Sequence, residues 1–568
     1  MKLVHLLPPE ISQKIAAGEV IERPVSVVKE LVENSLDAGA TEVKVELSDG
    51  GRELTRVTDN GSGMGREDAL VCFERHSTSK ISSEEDLWKI STLGFRGEAL
   101  ASISTVSRLT LKTSDGQEGS GTQVEREGEK ILRISDIAFP KGTSVEVRDL
   151  FFNLPVRRKF LRSDRAELGL VVKYLTFVAL AYPEVRFVLS HGPREILNCP
   201  AVPGLKERIF QLYGKALLDR VMGCHYAEKD YDVQGFSSRP LSGRQDRSHQ
   251  FIFVNRRPVK DRILQAALNQ AYRGFLEKEQ FPEAFLFLTL PFSEVDVNVH
   301  PAKAEVRFKD AQLVFHLVLK SVAGAMLKER GIKEIYPFQR EERTVHKIKE
   351  GLAPQNFPTP REEKTDWQPL FPPDIAEGKA SPQVLGQYLD TYIVASGEEG
   401  LLIVDQHNAH ERILFDKYRD ISEGREWPRK MLLVPVLFDL SPSEALNIEN
   451  NQELLEQAGF RVEAMGGRSY ALKEYPDIFK AGDAREIFLA ALGEMEQDKV
   501  ENREEKLLAT LACRTAIKAG EPLSIEKMEY LIQELFKTSK PSLCPHGRPI
   551  LVKIDRTEIE KGMRRGPN

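Results

Sequence analysis

Apolar and polar positions follow two periods along this chain. Dense apolar runs such as Phe251-Ile252-Phe253-Val254 and Phe285-Leu286-Phe287-Leu288 predict strands, as does Val145-Glu146-Val147 by its alternation. Helical spacing predicts helices over Ser26 to Gly39, about Asp261 to Gly274, and about Ala311 to Arg330. Strand-like and helix-like runs alternate to about residue 335, with a division near residue 205. From Tyr336 to about Ser381 the pattern stops. Pro337, Pro354, Pro358, Pro360, Pro369, Pro372 and Pro373 lie there among charged residues, which predicts a flexible linker. Order returns at Pro382. Thr391–Ala395 and Leu401–Val404 read as two strands, with Ser396–Gly400 as their hairpin turn. There is no internal repeat.

Composition narrows the class. The chain has 568 residues, a length that suggests roughly three to four domains. With 41% hydrophobic and 29% charged residues it reads as a soluble globular protein. The formal net charge of −6 excludes a uniformly basic nucleic-acid binder, so any DNA contact must come from local patches. Five scattered cysteines argue for a reducing compartment and against a disulfide scaffold. The N-terminus carries no signal-peptide apolar region. The most apolar stretch, Leu168 to Tyr182, contains Lys173 and is too short for a bilayer. The expected location is the cytoplasm, without a membrane.

Three front-end segments carry candidate chemistry. Glu30, Glu33, Asn34 and Asp37 form one acidic stripe on the first helix, which ends at Gly39. Such a stripe is either a solvated face or a carboxylate that orients water beside an amide oxygen on Mg²⁺. Asp59-Asn60-Gly61-Ser62-Gly63-Met64 offers a tight turn and an aspartate able to accept from an exocyclic amine. Gly94-Phe95-Arg96-Gly97 opens another helix whose N–H groups suit phosphate, and Lys80 closes a segment that could fold over a nucleotide. There is no Rossmann fingerprint here and no P-loop anywhere in the chain.

The back end has a second constellation. His407 and Glu411 are four apart, so a helix after the strand Leu401–Val404 puts them on one face. Asp405 sits at the strand–helix junction, as an N-cap or a further ligand. His410 is read as solvent-facing. Cys544-Pro545-His546, taken as extended, points both side chains one way. Carboxylate, imidazole and thiolate suit Zn²⁺. Cys513, on an apolar helix, reads by itself as a core residue.

The segments Glu30 to Thr41, Asp59 to Met64 and Gly94 to Leu100 resemble the nucleotide-binding motifs of the GHKL ATPases. Their wording is similar to that of the MutL mismatch-repair family. The resemblance runs from about Leu6 to Phe308 and again from about Val384 to the end. It implies a multidomain α+β fold. Residues 1–205 would be a GHKL ATPase α/β sandwich and 206–335 a ribosomal S5 domain 2-like transducer. Residues 336–382 would be the linker and 383–568 an α/β dimerisation and endonuclease domain, with an inserted regulatory subdomain at about 430–505.

The resemblance also implies roles. Glu30 is the general base, Asn34 the Mg²⁺ ligand and Asp59 the adenine reader. Gly61, Gly63, Lys80, Gly94, Phe95, Arg96, Gly97 and Thr143 contact ATP, and Lys303 reaches its γ-phosphate from the second domain. Arg256, Arg257, Lys260 and Arg262 face DNA, where phosphate contacts would be salt-sensitive. Asp405, His407, Glu411, Cys544 and His546 bind metal, with Cys513 beside them. Zn²⁺ suits the thiolate, whereas nicking calls for Mn²⁺ or Mg²⁺.

The implied protein is a homodimer that couples mismatch recognition by a MutS-type ATPase to nicking of duplex DNA. Two competing functions stay open: a non-nicking ATP-dependent coordinator with a structural zinc site, and a GHKL chaperone or topoisomerase. The sequence departs from the family at Asn408, at Asp416, and at Lys430, where a sliding-clamp motif of the family begins with Gln. Gln368-Pro369-Leu370-Phe371 in the linker is a substitute candidate for the clamp contact.

Overall fold

A computed structural model describes residues 17–18, 20–80, 92–94, 97–117, 120–244, 246–276, 280–296, 306–329, 382–397, 400–424, 427–496, 503–518 and 520–563. The predicted linker, Phe95, Arg96, Lys303 and Gln368–Phe371 lie outside these residues. The chain forms two compact units. One joins Met1–Gly331 with Trp427–Val500, and the other joins Ile332–Glu426 with Glu501–Asn568.

The first unit contains an eight-stranded sheet. Its order is Lys130–Ile137, Gly121–Glu127, Arg108–Ser114, Gly142–Arg148, Leu54–Asp59, Glu42–Ser48, Arg186–His191, Arg194–Cys199. Glu42–Ser48 alternates between buried and partly exposed side chains, the period expected of a strand with one covered face. The helices Pro24–Asp37 and Asp164–Ala181 share this core through Val28, Leu31, Val32, Val171, Val172 and Leu175. The first helix begins two residues before the predicted Ser26, because Pro24 takes the first turn, where its missing N–H costs nothing. Gly39 closes it with φ +72° and its N–H on the Leu36 carbonyl.

A second sheet runs Arg257–Pro258, Gln250–Val254, Ala284–Thr289, Tyr231–Ser238, Val221–Glu228. The helix Arg262–Ala271 packs on it, capped by the Asp261 carboxylate on the N–H groups of Ile263 and Leu264. Ala311–Glu329 is long and apolar enough to cross a membrane by length and composition. It outdoes Leu168–Tyr182 in that respect, yet its Val314, Leu317, Val318, Val322 and Met326 are buried in the core of this domain.

The segment 427–500 interrupts the second unit in sequence and groups with the first. It carries a three-stranded sheet, ordered Arg429–Asp439, Ser469–Pro476, Arg461–Gly466. Pairing of its long strand is irregular between Met431 and Val436, and Met431, Leu433 and Val434 are exposed there. Lys430 is ion-paired with Asp477 at 2.6 Å.

The second unit is a four-stranded sheet, ordered Gln383–Tyr388, Tyr392–Gly397, Gly400–Asp405, Leu551–Asp555. The hairpin is tighter than predicted, because Gly397 and Gly400 already pair. The helix Gln406–Gly424 follows the third strand directly. It lies beside the helices Arg503–Thr515 and Ile525–Leu535. Ala409 and Ile413 share a core with Met528, Leu531, Ile532 and Cys544.

Candidate functional site

The front-end cluster is assembled where the first helix meets the Leu54–Asp59 strand. Ser35 Oγ donates to Asp59 Oδ2 at 2.8 Å and the Gly61 N–H to Asp59 Oδ1 at 2.9 Å. Burial pushes the Asp59 carboxyl up, against the pull of the hydrogen bonds from Gly61, Ser35 and Thr143. A partly buried, oriented carboxylate of this kind can read an exocyclic amine. Thr143 pairs with Asp59 across the strands, and its Oγ1 lies 3.0 Å from Thr113 Oγ1. The glycines are required by space. A Cβ at Gly61 would meet the Ala38 carbonyl oxygen at 2.9 Å. Gly63 has φ +67°, and its Cβ would lie 1.9 Å from the Ser114 carbonyl oxygen.

One carboxylate gathers the rest of the pocket. Asp37 Oδ2 accepts from Lys80 Nζ at 2.6 Å and from the Gly94 N–H at 3.1 Å, while its Oδ1 accepts from the Leu93 N–H at 2.9 Å. Lys80 Nζ also donates to Asn34 Oδ1 at 2.8 Å. Asn34, Lys80 and Gly94 are thus brought together. Glu30 lies one turn earlier on the same helix and is half-buried. Gly97 has φ +64°, and a Cβ there would press on Ser77, so the two predicted phosphate segments touch. Asn34 offers the oxygen donor that Mg²⁺ prefers.

The basic cluster divides. Arg256, Lys260 and Arg262 are exposed, and Arg256 is ion-paired with Glu184. Arg257 is 8% exposed, and its guanidinium donates to the Thr92 carbonyl. It does not join the other three at the surface.

In the second unit, Glu411 Oε1 lies 2.7 Å from His546 Nδ1. The donor atoms of Glu411, Cys544 and His546 all fall within 4.8 Å of one another. One oxygen, one sulfur and one nitrogen at that spacing fit a Zn²⁺ ligand set. Hydrogen bonds to Cys544 and then to Glu411 push the His546 imidazole up to about 10. Burial pushes the Glu411 carboxyl up, but its bonds to His546, Cys544 and Cys513 outweigh burial and hold it below its ordinary value. Cys513 therefore sits beside Glu411.

Asp405 and His407 fall outside that tight group. Asp405 Oδ1 accepts the Asn408 N–H at 3.0 Å, which is the N-cap role. His407 Nδ1 lies 2.8 Å from the Ile517 carbonyl oxygen, a contact in which Nδ1 donates. His410 is not solvent-facing. Its Nδ1 accepts the Ile517 N–H at 2.9 Å, and burial lowers its pKa to about 4. Cys544–His546 is not extended either. The Gly547 N–H bonds the Cys544 carbonyl at 2.9 Å with Gly547 at φ +78°, a tight turn that aims both side chains at Glu411.

Several working residues carried little signal in the sequence. Arg412 Nε donates to the Leu543 carbonyl at 2.8 Å and anchors the Cys544 turn. Asp416 accepts the Ser539 N–H at 2.7 Å, so it has a structural task. Gln406 is fully buried and donates to the carbonyls of Asp390, Lys518 and Glu521. Asp37 was visible as the last member of the acidic stripe, but its role as an anchor was not. Ser35 lies off that stripe and had no signal.

Residues 22–143 match the family described as histidine kinase-, DNA gyrase B-, and HSP90-like ATPase. With the Asp59 site, this defines that segment as a GHKL ATPase domain. Residues 209–327 match the DNA mismatch repair protein, C-terminal domain, and 385–523 the MutL C terminal dimerisation domain. The DNA mismatch repair protein MutL of Koribacter versatilis is 37% identical, the alignment covering 100% of each chain. That of Dictyoglomus thermophilum is 36% identical, again over 100% of each. This chain belongs to the MutL family of DNA mismatch repair proteins. Among solved structures, the Aquifex aeolicus MutL ATPase domain complexed with ADP is 33% identical, covering 53% of this chain and 98% of that one, with a TM-score of 0.38.

Proposed function

We propose that this MutL-family ATPase is also a metal-dependent nicking endonuclease of mismatch repair. The observation that carries the reading is the grouping of Glu411, Cys544 and His546 donor atoms within 4.8 Å. Glu411 is 2% exposed, whereas the His546 side chain is 46% exposed, so the group has a side open to a phosphodiester. Asp405 starts the helix that carries Glu411, and His407 presents Nε2 as a further donor. A bound divalent ion would supply Lewis-acid activation of water and of the leaving oxygen. Glu411 would hold that ion and orient the water.

In the ATPase domain, Glu30 acts as the general base, Asn34 holds Mg²⁺ and Asp59 reads adenine. Gly61, Gly63, Lys80, Gly94, Phe95, Arg96, Gly97, Thr143 and Lys303 surround the nucleotide. Exposed Arg256, Lys260 and Arg262 contact DNA phosphates without base readout. The working form is a cytoplasmic, nucleoid-associated homodimer. The 383–568 region joins the two copies. A MutS-type mismatch-recognition ATPase and the sliding clamp are its partners.

The test is nicking of supercoiled plasmid with Mn²⁺, run with metal analysis of the purified protein. Wild type nicks and Glu411→Ala does not. No nicking by wild type, or equal nicking by Glu411→Ala, leaves a non-nicking coordinator with a structural zinc site.

A further inference from the structure

The sequence groups Arg257 with a basic cluster, yet the fold turns it inward. Asn255 and Arg256 both have positive φ, at 49° and 65°, so the chain reverses tightly after Val254. Asn255 fixes this turn from behind, accepting the Leu290 N–H at 2.9 Å and donating to the Leu290 carbonyl at 3.0 Å. Val254 and Arg257 then pair across the hairpin. Arg256 clasps the ATPase domain on the outside, through Glu184 and over the Tyr182 ring at 5.2 Å. Arg257 enters on the inside and donates to the Thr92 carbonyl.

Thr92, Leu93 and Gly94 are each tied by hydrogen bonds. The Thr92 carbonyl accepts from Arg257, and the next two N–H groups donate to Asp37. Thr92 Oγ1 also donates to the Gly94 carbonyl at 2.8 Å. Asp37 is the group that holds Lys80, which in turn holds Asn34. Glu33 and Asp37 supply the negative field around the buried guanidinium. The second domain therefore grips the segment leading into Gly94 and Gly97 through one buried charge-assisted bond.

We propose that Arg257 is a positioning residue of the ATP site. It holds Thr92–Gly94 in register with Asp37 and so links nucleotide binding to the posture of the second domain. The proposal rests on the ATPase assignment and goes beyond it. Because the linkage is reciprocal, a change in the second domain that moves Arg257 changes nucleotide affinity.

The experiment uses the full chain and measures kcat and KM for ATP, binding of a non-hydrolysable ATP analogue, and DNA binding across a salt series. Arg257→Met keeps the packing stem and removes the donor. It raises KM and the analogue Kd about tenfold, with kcat changed less than threefold. Arg257→Lys keeps the charge and recovers at least half of that loss on a logarithmic scale. The salt dependence of DNA binding stays as in wild type. If Arg257→Met unfolds, Arg257→Lys alone carries the test and raises KM about threefold. An unchanged KM in the folded variants overturns the proposal. So does a weaker, less salt-dependent DNA affinity with ATP binding intact, which makes Arg257 a DNA contact. Wild-type turnover abolished by Glu30→Ala establishes the ATPase reading separately.

Discussion

His546 Nδ1 lies 2.7 Å from Glu411 Oε1, joining a turn near the chain's end to a helix that starts at Gln406. The helix reaches back to that turn through Arg412, which bonds the Leu543 carbonyl, and through Asn408, whose Nδ2 donates to the Pro549 carbonyl at 3.3 Å. The candidate metal centre is therefore split between this helix, which supplies Glu411, and a turn that the same helix positions. Sites held this way keep their geometry without depending on a mobile loop.

Metal content follows from this arrangement. Purified full-length protein is expected to retain zinc through dialysis. Cys544→Ser and His546→Ala are each expected to lower the affinity at least tenfold, with ATP turnover kept. Element analysis and a competition titration with a chromogenic chelator measure it. Retention of zinc by both variants would remove the ligand assignment.

Glu30 is expected to act on the chemical step. Glu30→Ala should lower ATP turnover at least about a hundredfold while nucleotide binding changes by less than threefold. Turnover and equilibrium binding, measured on the same preparation, separate the two. A loss of binding equal to the loss of turnover points to a damaged pocket.

Ser35, which also bonds the Leu31 carbonyl at 3.1 Å, is expected to act on the nucleotide through Asp59. Ser35→Ala removes the 2.8 Å bond to Asp59 Oδ2 and should weaken ATP binding about fivefold. Selectivity for adenine over guanine nucleotides should fall with it. Binding titrations with ATP and GTP check both, and an unchanged ratio rules out a positioning role for Ser35.

Gly63→Ala is expected to destabilise the ATPase domain by about 2 kcal/mol or more. The left-handed φ and the 1.9 Å approach of a Cβ to Ser114 leave backbone movement as the remaining accommodation. Thermal unfolding measures it. A melting temperature equal to wild type would mean that the turn relaxes freely.

Glu283 sets an acid limit on stability. It is 1% exposed, and His249 Nδ1 lies 2.9 Å from its Oε1. Burial pushes its carboxyl up, but His249, Arg220 and Arg244 outweigh burial and hold it at about 2, below the ordinary 4.5. A depressed carboxyl stabilises the fold fully above its unfolded value and loses that contribution as pH falls through its folded value. Stability should therefore drop between pH 4.5 and about 2. Glu283→Gln should flatten that slope and be less stable near neutral pH. Denaturant unfolding at several pH values measures both, and an identical slope in the variant would assign the acid limit to other groups.

Local chemistry made much of the fold readable. Helical spacing located the helix that carries Glu30, the strand Leu401–Val404 pointed to a following helix with Glu411, and strand composition located Phe251–Val254. The turn glycines Gly61 and Gly63 were legible because a left-handed or crowded backbone admits almost no other residue. The acidic stripe put Glu30, Asn34 and Asp37 on one helix face before any fold was known.

What the sequence by itself determined was therefore a subset of the elements, among them the helix of Glu30 and the strands Phe251–Val254 and Phe285–Leu288, and the family the chain belongs to. The tertiary structure decided which residues meet. Cys544 and His546 face Glu411 through a Gly547 turn held by Arg412, not through an extended strand. His410 is half-buried and accepts the Ile517 N–H, and Arg257 leaves its basic neighbours for the Thr92 carbonyl. These outcomes depend on long-range packing and desolvation. The period of a helix or strand records which face is covered, but not the distant segment that covers it.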